Sequence, residues 1–300
     1  MQETKNAAAT GEVKVSLENL PPVAGLSSSE YGLAIGYILG HQLLGIRDLH
    51  YGYWPDGLPV TMQNLAQAQA NYTDLLMSKI PANVKSVLDV GCGVGNTARK
   101  LLDRGYQVDC VSPNGFLMSI VKQMVSGRST LFVTKFEELT TDRRYDLIMF
   151  SESLLFIKPL SVAFTKALSL LNPGGHVLIT DIFSVPAEGK SPIGGGHNLE
   201  EFRQAMAQHK FTLVSDVDMT EGIARTFDLL DETYREALQP AYHMILTRLA
   251  DKYPTLMKIV RWKFRKKIEY YENKHFSGRR DGKNFKKYKA YRLLVYKRGD

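Results

Sequence analysis

Cysteine is nearly absent from this chain of 300 residues, which carries only Cys92 and Cys110. Two thiols cannot build a disulfide framework, so the small stapled secreted scaffolds are excluded and a reducing compartment is expected. Long apolar runs are missing as well, since no stretch reaches the ~18 residues that a membrane-spanning helix needs. The N-terminus has no basic start followed by an apolar block, so no secretory signal is read, and the expected location is the cytoplasm. Carboxylates are scarce in one region only. From Lys258 to Asp300 there are 16 Lys and Arg against 4 Asp and Glu, a net +12, whereas the whole chain is +7 and the first 257 residues are therefore −5. The positive character belongs to the C-terminal region and not to the chain as a whole.

Core-forming material is plentiful, at 44% hydrophobic and 10% aromatic residues. That is enough for one large domain, or for a domain with a sizeable insertion. The chain is organised around Lys85–Arg99. Val87, Leu88 and Val90 form a short apolar run that reads as a buried parallel strand. Gly91, Gly93 and Gly95 follow at once, and Asn96-Thr97-Ala98 opens a helical pattern. Glycines let the backbone turn sharply and let a ligand approach closer than a Cβ would allow. The helix that follows aims its free N–H groups at the same place.

With Asp89 inside the strand, Leu88-Asp89-Val90-Gly91-Cys92-Gly93-Val94-Gly95 resembles the first motif of class I S-adenosylmethionine (SAM)-dependent methyltransferases. The resemblance implies that this loop passes under the methionine part of SAM. Asp89, Gly91, Cys92, Gly93, Gly95 and Asn96 are then cofactor-binding positions. Cys92 and Cys110 read as small packing residues. Upstream, His50-Tyr51-Gly52-Tyr53-Trp54 resembles a segment that precedes the SAM fold in small-molecule methyltransferases of the sterol, tocopherol, glycine and polyketide types. There it closes over the cofactor, and an aromatic wall suits a sulfonium cation. Tyr51 and Tyr53 are therefore expected contacts, while packing of a helix junction is the alternative.

In chain order, Met1 to about Ser27 reads as a polar arm. Ser28 or Ser29 can cap a helix over Glu30–Leu44, in which Tyr31, Ile35, Ile38 and Leu39 recur at helical spacing. A second helix is expected over about Met62–Lys79. Strands follow at Gln107–Val111, Leu131–Thr134, Tyr145–Ser151 and His176–Asp181, alternating with helices, which makes a parallel sheet with right-handed crossovers.

At the end of the second strand the family usually places an acid on the ribose. Ser112 stands there, next to Pro113, and supplies only a neutral hydroxyl. Asp109 lies on the other side of that strand. Lys135 replaces the family's adenine-binding acid, leaving the Phe136 N–H or Glu137 for that role. Ser151 and Glu152 close the fourth strand in a Ser-Glu-Ser-Leu that resembles the family's own, beside the methionine end. Many relatives carry a His shortly after the Glu. Here Leu155 and Phe156 stand instead, so a general base must come from elsewhere. His197 in the glycine-rich Gly189–Asn198 loop, His50, and Asp181 at a strand end are the candidates; a structural role is the alternative for each. No metal is called for.

Lys210–Met219 reads as a strand, the stretch from Gly222 to about Arg280 as helical, and Tyr288–Lys297 as a last strand. The expected fold is α/β, a Rossmann-like doubly wound seven-stranded sheet whose last strand is antiparallel, with a helical cap and a helical insertion before that strand. The expected parts are an arm (1–27), a cap (28–80), the SAM-binding core (81–221), a substrate or lid insertion (222–285) and the last strand (286–300). The expected function is methyl transfer from SAM to a small, fairly apolar metabolite, with O-methylation ahead of C- or N-methylation. A non-catalytic SAM-binding module on RNA or membrane is the alternative. The basic region reads as a solvated face, as a dock for an acidic carrier protein or anionic membrane, or as an RNA contact. The absence of an Asn/Asp-Pro-Pro-Tyr motif after the fourth strand argues against nucleic acid.

Overall fold

The computed structural model describes residues 28–299. The arm expected over residues 1–27 lies outside the described residues, as do the side chains of Ser28 and Ser29 on which the expected helix cap rests. Five parallel strands form first: β1 (Ser86–Val90), β2 (Gln107–Val111), β3 (Leu131–Phe132), β4 (Tyr145–Ser151) and β5 (Leu171–Ser184). β6 (His197–Asn198) is a two-residue strand beside β5, in a stretch the sequence reads as a loop. β7 (Phe211–Asp218) and β8 (Lys289–Arg298) complete the sheet in the order β3-β2-β1-β4-β5-β8-β7, with β6 off that path. β8 runs antiparallel to both β5 and β7. Seven strands in a row with the last in sequence reversed is the expected arrangement; β6 is the addition.

The central strands β1, β4 and β5 are apolar on both faces because both faces are covered. Val87, Cys110, Leu147, Met149, Leu178 and Leu293 pack on one side with α3 (Asn96–Asp103) and α7 (Thr220–Thr233). Leu88, Val111, Ile148, Phe150, Val177 and Leu294 pack on the other with α5 (Leu160–Leu170) and α6 (Leu199–Gln208). Successive residues point to opposite sides of a strand, so each strand feeds both cores.

The cap consists of α1 (Ser28–Leu44) and α2 (Leu65–Ser78). On α1 the buried side chains include Ala34 and Tyr37, which pack against Phe116, Leu117 and Ile120 of α4 (Gly115–Val125). This corrects the face implied by the sequence spacing, because Tyr31, Ile35 and Leu39 are exposed. The helix is apolar almost all round, so periodicity alone does not select its inner face.

The stretch between β7 and β8 is helical, as expected. α7 passes through one π-turn (Tyr234–Leu238) into α8 (Gln239–Lys252), and then come α9 (Pro254–His275) and α10 (Gly282–Tyr288). No residue of α8 is buried and only Met257 is buried in α9, so this pair stands out from the body. No described helix is long and apolar enough to cross a membrane.

Candidate active site

The carboxyl ends of β1, β2 and β4 lie in one row, with Val90 beside Val111 on one side and Phe150 on the other. Where parallel strands end together, the loops that leave them converge on one crevice. The glycine turn after β1 forms its centre. Gly91, Gly93 and Gly95 have φ of 73°, 55° and 83°, a left-handed backbone that glycine adopts without strain. At Gly91 the constraint is internal, because a Cβ there would stand 2.4 Å from Ser153 Cβ. Ser153 in turn donates its hydroxyl to the Val90 carbonyl. At Gly93 a Cβ would meet nothing within 4 Å. One glycine therefore serves packing, and the other keeps space clear.

Asp89 is buried just ahead of this turn, and its Oδ2 has no hydrogen-bond partner among the described residues. Burial, with the charge of Asp48 nearby, pushes its carboxyl up to about 7. Asn96 opens α3; its side-chain N–H donates to Asp48 Oδ2 at 2.7 Å and its Oδ1 accepts from the Arg99 guanidinium, so the side chain is engaged within the protein. Cys92 is buried with its sulfur 3.7 Å from that of Met118, which agrees with a packing role for the side chain.

The aromatic segment crosses over the same end of the sheet. His50 stacks on Tyr72 with ring centroids 4.0 Å apart. Its Nδ1 lies 2.8 Å from the Tyr51 carbonyl and its Nε2 3.2 Å from Thr73 Oγ1, so both ring nitrogens are engaged. The Tyr51 N–H donates to Glu152 Oε1 at 3.0 Å, and the Tyr51 ring lies against Phe227 of α7. Tyr53 packs so closely on Gly222 of α7 that a Cβ there would stand 2.5 Å from its ring. Trp54 is buried and donates its indole N–H to Thr226, whose hydroxyl donates to the Gly52 carbonyl. The segment is thus held between α2, α7 and the β4 exit.

Glu152 carries the sharpest backbone signal in the crevice, a φ of 54° in a non-glycine residue. Such a conformation persists only where its surroundings enforce it. Its N–H donates to the Thr180 carbonyl, and its Oε1 receives the Tyr51 N–H and, at 2.6 Å, the Tyr291 hydroxyl. Tyr291 lies 3.0 Å from the Tyr72 hydroxyl, which lies 2.9 Å from Ser151 Oγ. Burial raises the Glu152 carboxyl, while His50 and the two donors act against that rise. Nothing in the sequence pairs Tyr72 with Tyr291, which stand 219 positions apart. Asp48 is likewise a member of the site without a motif of its own.

The turn after Glu152 is a 3₁₀ turn over Leu154–Phe156, held by two of the candidate bases. Asp181 is 1% exposed; its Oδ2 accepts the Leu155 N–H and its Oδ1 the Ile182 N–H. Burial pushes its carboxyl up to about 8. His197 is half-buried, with its Nε2 3.1 Å from the Leu154 carbonyl. A carbonyl can only accept, so Nε2 carries the hydrogen and Nδ1 keeps its lone pair in the neutral ring. Burial holds the His197 pKa below the ordinary imidazole value, helped by the Lys158 charge.

On the ribose and adenine side, Ser112 is buried and its Oγ accepts the Asn114 N–H at 3.3 Å, while Pro113 is exposed. Asp109 points away, bonded to Arg143, Tyr145 and the Thr130 N–H. Phe136 is buried with its ring edge-on to Phe150, so its N–H and half-buried Glu137 are what this turn offers a ligand. Among the described residues no group of His, Cys, Asp and Glu could hold a metal ion.

A family model described as a methyltransferase domain matches residues 63–215, just over half of the chain. Methyltransferase GfsG of Streptomyces halstedii is 28% identical over 143 residues, covering 45% of this chain and 51% of that protein. The 27-O-demethylrifamycin SV methyltransferase of Amycolatopsis mediterranei is 28% identical over 171 residues, covering 54% and 60%. The matched stretches thus span about half of these relatives' length. The solved structure of geranyl diphosphate C-methyltransferase from Streptomyces coelicolor A3(2) superposes with a TM-score of 0.63 at 15% identity, covering 93% of this chain and 100% of that one. That likeness shows the fold.

Proposed function

The chain belongs to the methyltransferase-domain family as a class I SAM-dependent enzyme, and on that footing we propose that it methylates a hydroxyl oxygen of a small, fairly apolar metabolite. The observation that supports the methyl-donor part of this reading is the pairing of the open left-handed turn at Gly93 with the buried oxygen of Asp89, which has no partner among the described residues. A backbone cradle that a Cβ would fill, beside a carboxylate lacking a donor, fits a ligand that brings both bulk and N–H or O–H groups. Such a fit is met by SAM. The Gly91–Gly95 turn and the N-terminus of α3 would hold its methionine part, with Ser112, the Phe136 N–H and Glu137 toward the nucleoside. Tyr51 and Tyr53 would lie on the sulfonium side, where ring faces favour a cation. When bound, SAM supplies a sulfonium-activated methyl carbon open to in-line displacement.

The chain's own residues then have two tasks. One is orientation, since in-line transfer depends chiefly on holding the reacting atoms in register. The bonds on Glu152, from Tyr51 and Tyr291, fix the β4 exit for that purpose. The other is removal of the hydroxyl proton. His197 suits it best, because its Nε2–H is committed to Leu154 and a lowered pKa keeps Nδ1 unprotonated at neutral pH. His50 has both nitrogens engaged and Asp181 has both oxygens on backbone N–H groups, so positioning suits these two better.

C- or N-methylation is the second reading, favoured by a fold shared with a C-methyltransferase. An acidic carrier protein or an anionic membrane is the partner expected for the basic region, because Trp262 stands 82% exposed among the cations of α9. Incubating the protein with SAM and a panel of hydroxylated metabolites, matched with amines and activated carbon acids, tests the reading. Methyl ethers as the sole products support it. Products methylated only at carbon or nitrogen overturn the oxygen assignment.

A further inference from the structure

One wall of the molecule is lined by cations that have no carboxylate partner among the described residues. A cleft of about 950 Å³ opens between the loop after β5 and the end of α9, lined by Lys190, Lys274, Arg279 and Arg280 with Tyr270 and Tyr288. Among the described residues no carboxylate lines it. Several other cations of this region do have carboxylate partners: Arg235 has Asp231, Lys286 has Glu221, and Arg292 has Asp216 and Asp218. The four in the cleft make no hydrogen bond or ion pair with any described residue; Lys274 only lies over the Tyr270 ring, 5.8 Å from its centre. Like charges converging on a concave wall repel one another, and a bound anion relieves that repulsion. Asn273 and Asn284 also line it, the Asn284 side-chain N–H donating to Asp281 Oδ1 at 2.9 Å. Two guanidinium groups with two ammonium groups match a group that has several charged oxygens, which is a phosphate rather than a single carboxylate.

The cleft borders the candidate active site along one wall. Its wall at Gly195 faces Leu155, where an added Cβ would stand 3.5 Å from Leu155 Cδ1. Leu155 belongs to the turn that follows Glu152. That same Gly195 carbonyl receives Nζ of the buried Lys289, which fixes the wall against β8. The Arg280 charge also acts against the rise that burial and Glu152 impose on the Tyr51 phenol.

We propose that this cleft seats a phosphate carried by the methyl acceptor, so that Lys190, Lys274, Arg279 and Arg280 anchor one end of the substrate while its other end reaches the Glu152 turn. The proposal rests on the methyltransferase reading for the second half of that statement only. A phosphodiester-borne arm of a carrier protein and a small diphosphate ester share this chemistry.

The test is titration calorimetry of the whole protein with inorganic pyrophosphate, with phosphopantetheine, and with pantetheine, which lacks the phosphate. At least one phosphate probe is expected to bind saturably, and pantetheine to bind at least about tenfold more weakly than phosphopantetheine where that arm is the match. Stronger binding of pyrophosphate identifies a diphosphate ester; stronger binding of phosphopantetheine identifies the arm. Arg279→Gln with Arg280→Gln should weaken the favoured probe about tenfold or more, whereas Lys258→Gln with Lys263→Gln, elsewhere on α9, should not. Equal losses in both double variants, or no saturable binding of either phosphate probe, overturns the proposal. S-adenosylhomocysteine is titrated into the same samples. Its failure to bind, with pyrophosphate still bound, would count against the methyl-donor reading and leave the phosphate site standing.

Discussion

Tyr291 donates its hydroxyl to Glu152 Oε1 at 2.6 Å, joining β8 to the exit of β4 across 139 positions of sequence. The bond lies between a fully buried phenol and a carboxylate held in a left-handed backbone. It makes the one antiparallel strand part of the crevice and gives the turn at Glu152 a reason to keep its shape.

Tyr291→Phe removes that donor without changing the packing of the ring. A carboxylate left with one fewer donor should lower the stability of the folded state by about 1–3 kcal/mol, read from urea denaturation. An unchanged midpoint would mean that the Tyr291 hydroxyl contributes nothing to the fold.

At the end of β2, Ser112→Asp should tighten SAM by about 1 kcal/mol in calorimetry, because a charge-assisted bond to a ribose hydroxyl replaces a neutral one. An aspartate also keeps the acceptor that Ser112 now offers to the Asn114 N–H. A fall in affinity would place the ribose elsewhere.

His197→Ala should cut single-turnover methyl transfer by about 10²–10⁴ while donor affinity stays nearly constant. With the native residue the rate should fall on the acid side with an apparent pKa below the ordinary imidazole value, since burial lowers it. Rates that survive the substitution would remove the base from the mechanism and point to a carbon or amine acceptor.

Asp89 makes stability depend on pH in a stated direction. Its carboxyl is pushed up to about 7 in the fold, against 3.8 for an unperturbed aspartate. Between these values the folded state holds a proton that the unfolded chain has released, so stability falls as pH rises from about 4 to about 7. Asp181, pushed up to about 8, adds a slope of the same sign. Asp89→Asn should therefore flatten part of the decline in urea midpoint across this window and leave the part due to Asp181. A variant as steep as the native protein would contradict the raised carboxyl at Asp89.

Much of this was legible because it is local. The strand at Val87–Val90, the three glycines and the start of α3 lie within a dozen residues, and short-range sterics are enough to read them. Ser151 and Glu152 were legible through their place at a strand end, although the left-handed backbone at Glu152 was not. What escaped depends on contacts distant in sequence. Tyr72 and Tyr291 carry no motif, and His197 reads as a loop residue because a two-residue strand leaves no periodicity. On α1, apolar residues surround the helix, so the spacing of Ile35 and Leu39 pointed outward while Ala34 and Tyr37 turned in.

The central claim is that the open backbone at Gly93 is the seat of the methyl donor. Calorimetric titration of SAM and S-adenosylhomocysteine into the native protein and into Gly93→Val tests it most directly, with circular dichroism to verify that the variant is folded. A branched side chain would fill the space now clear of protein atoms and would force a left-handed backbone on valine. The account predicts micromolar binding by the native protein and none detectable by the folded variant. Equal binding by both would contradict it.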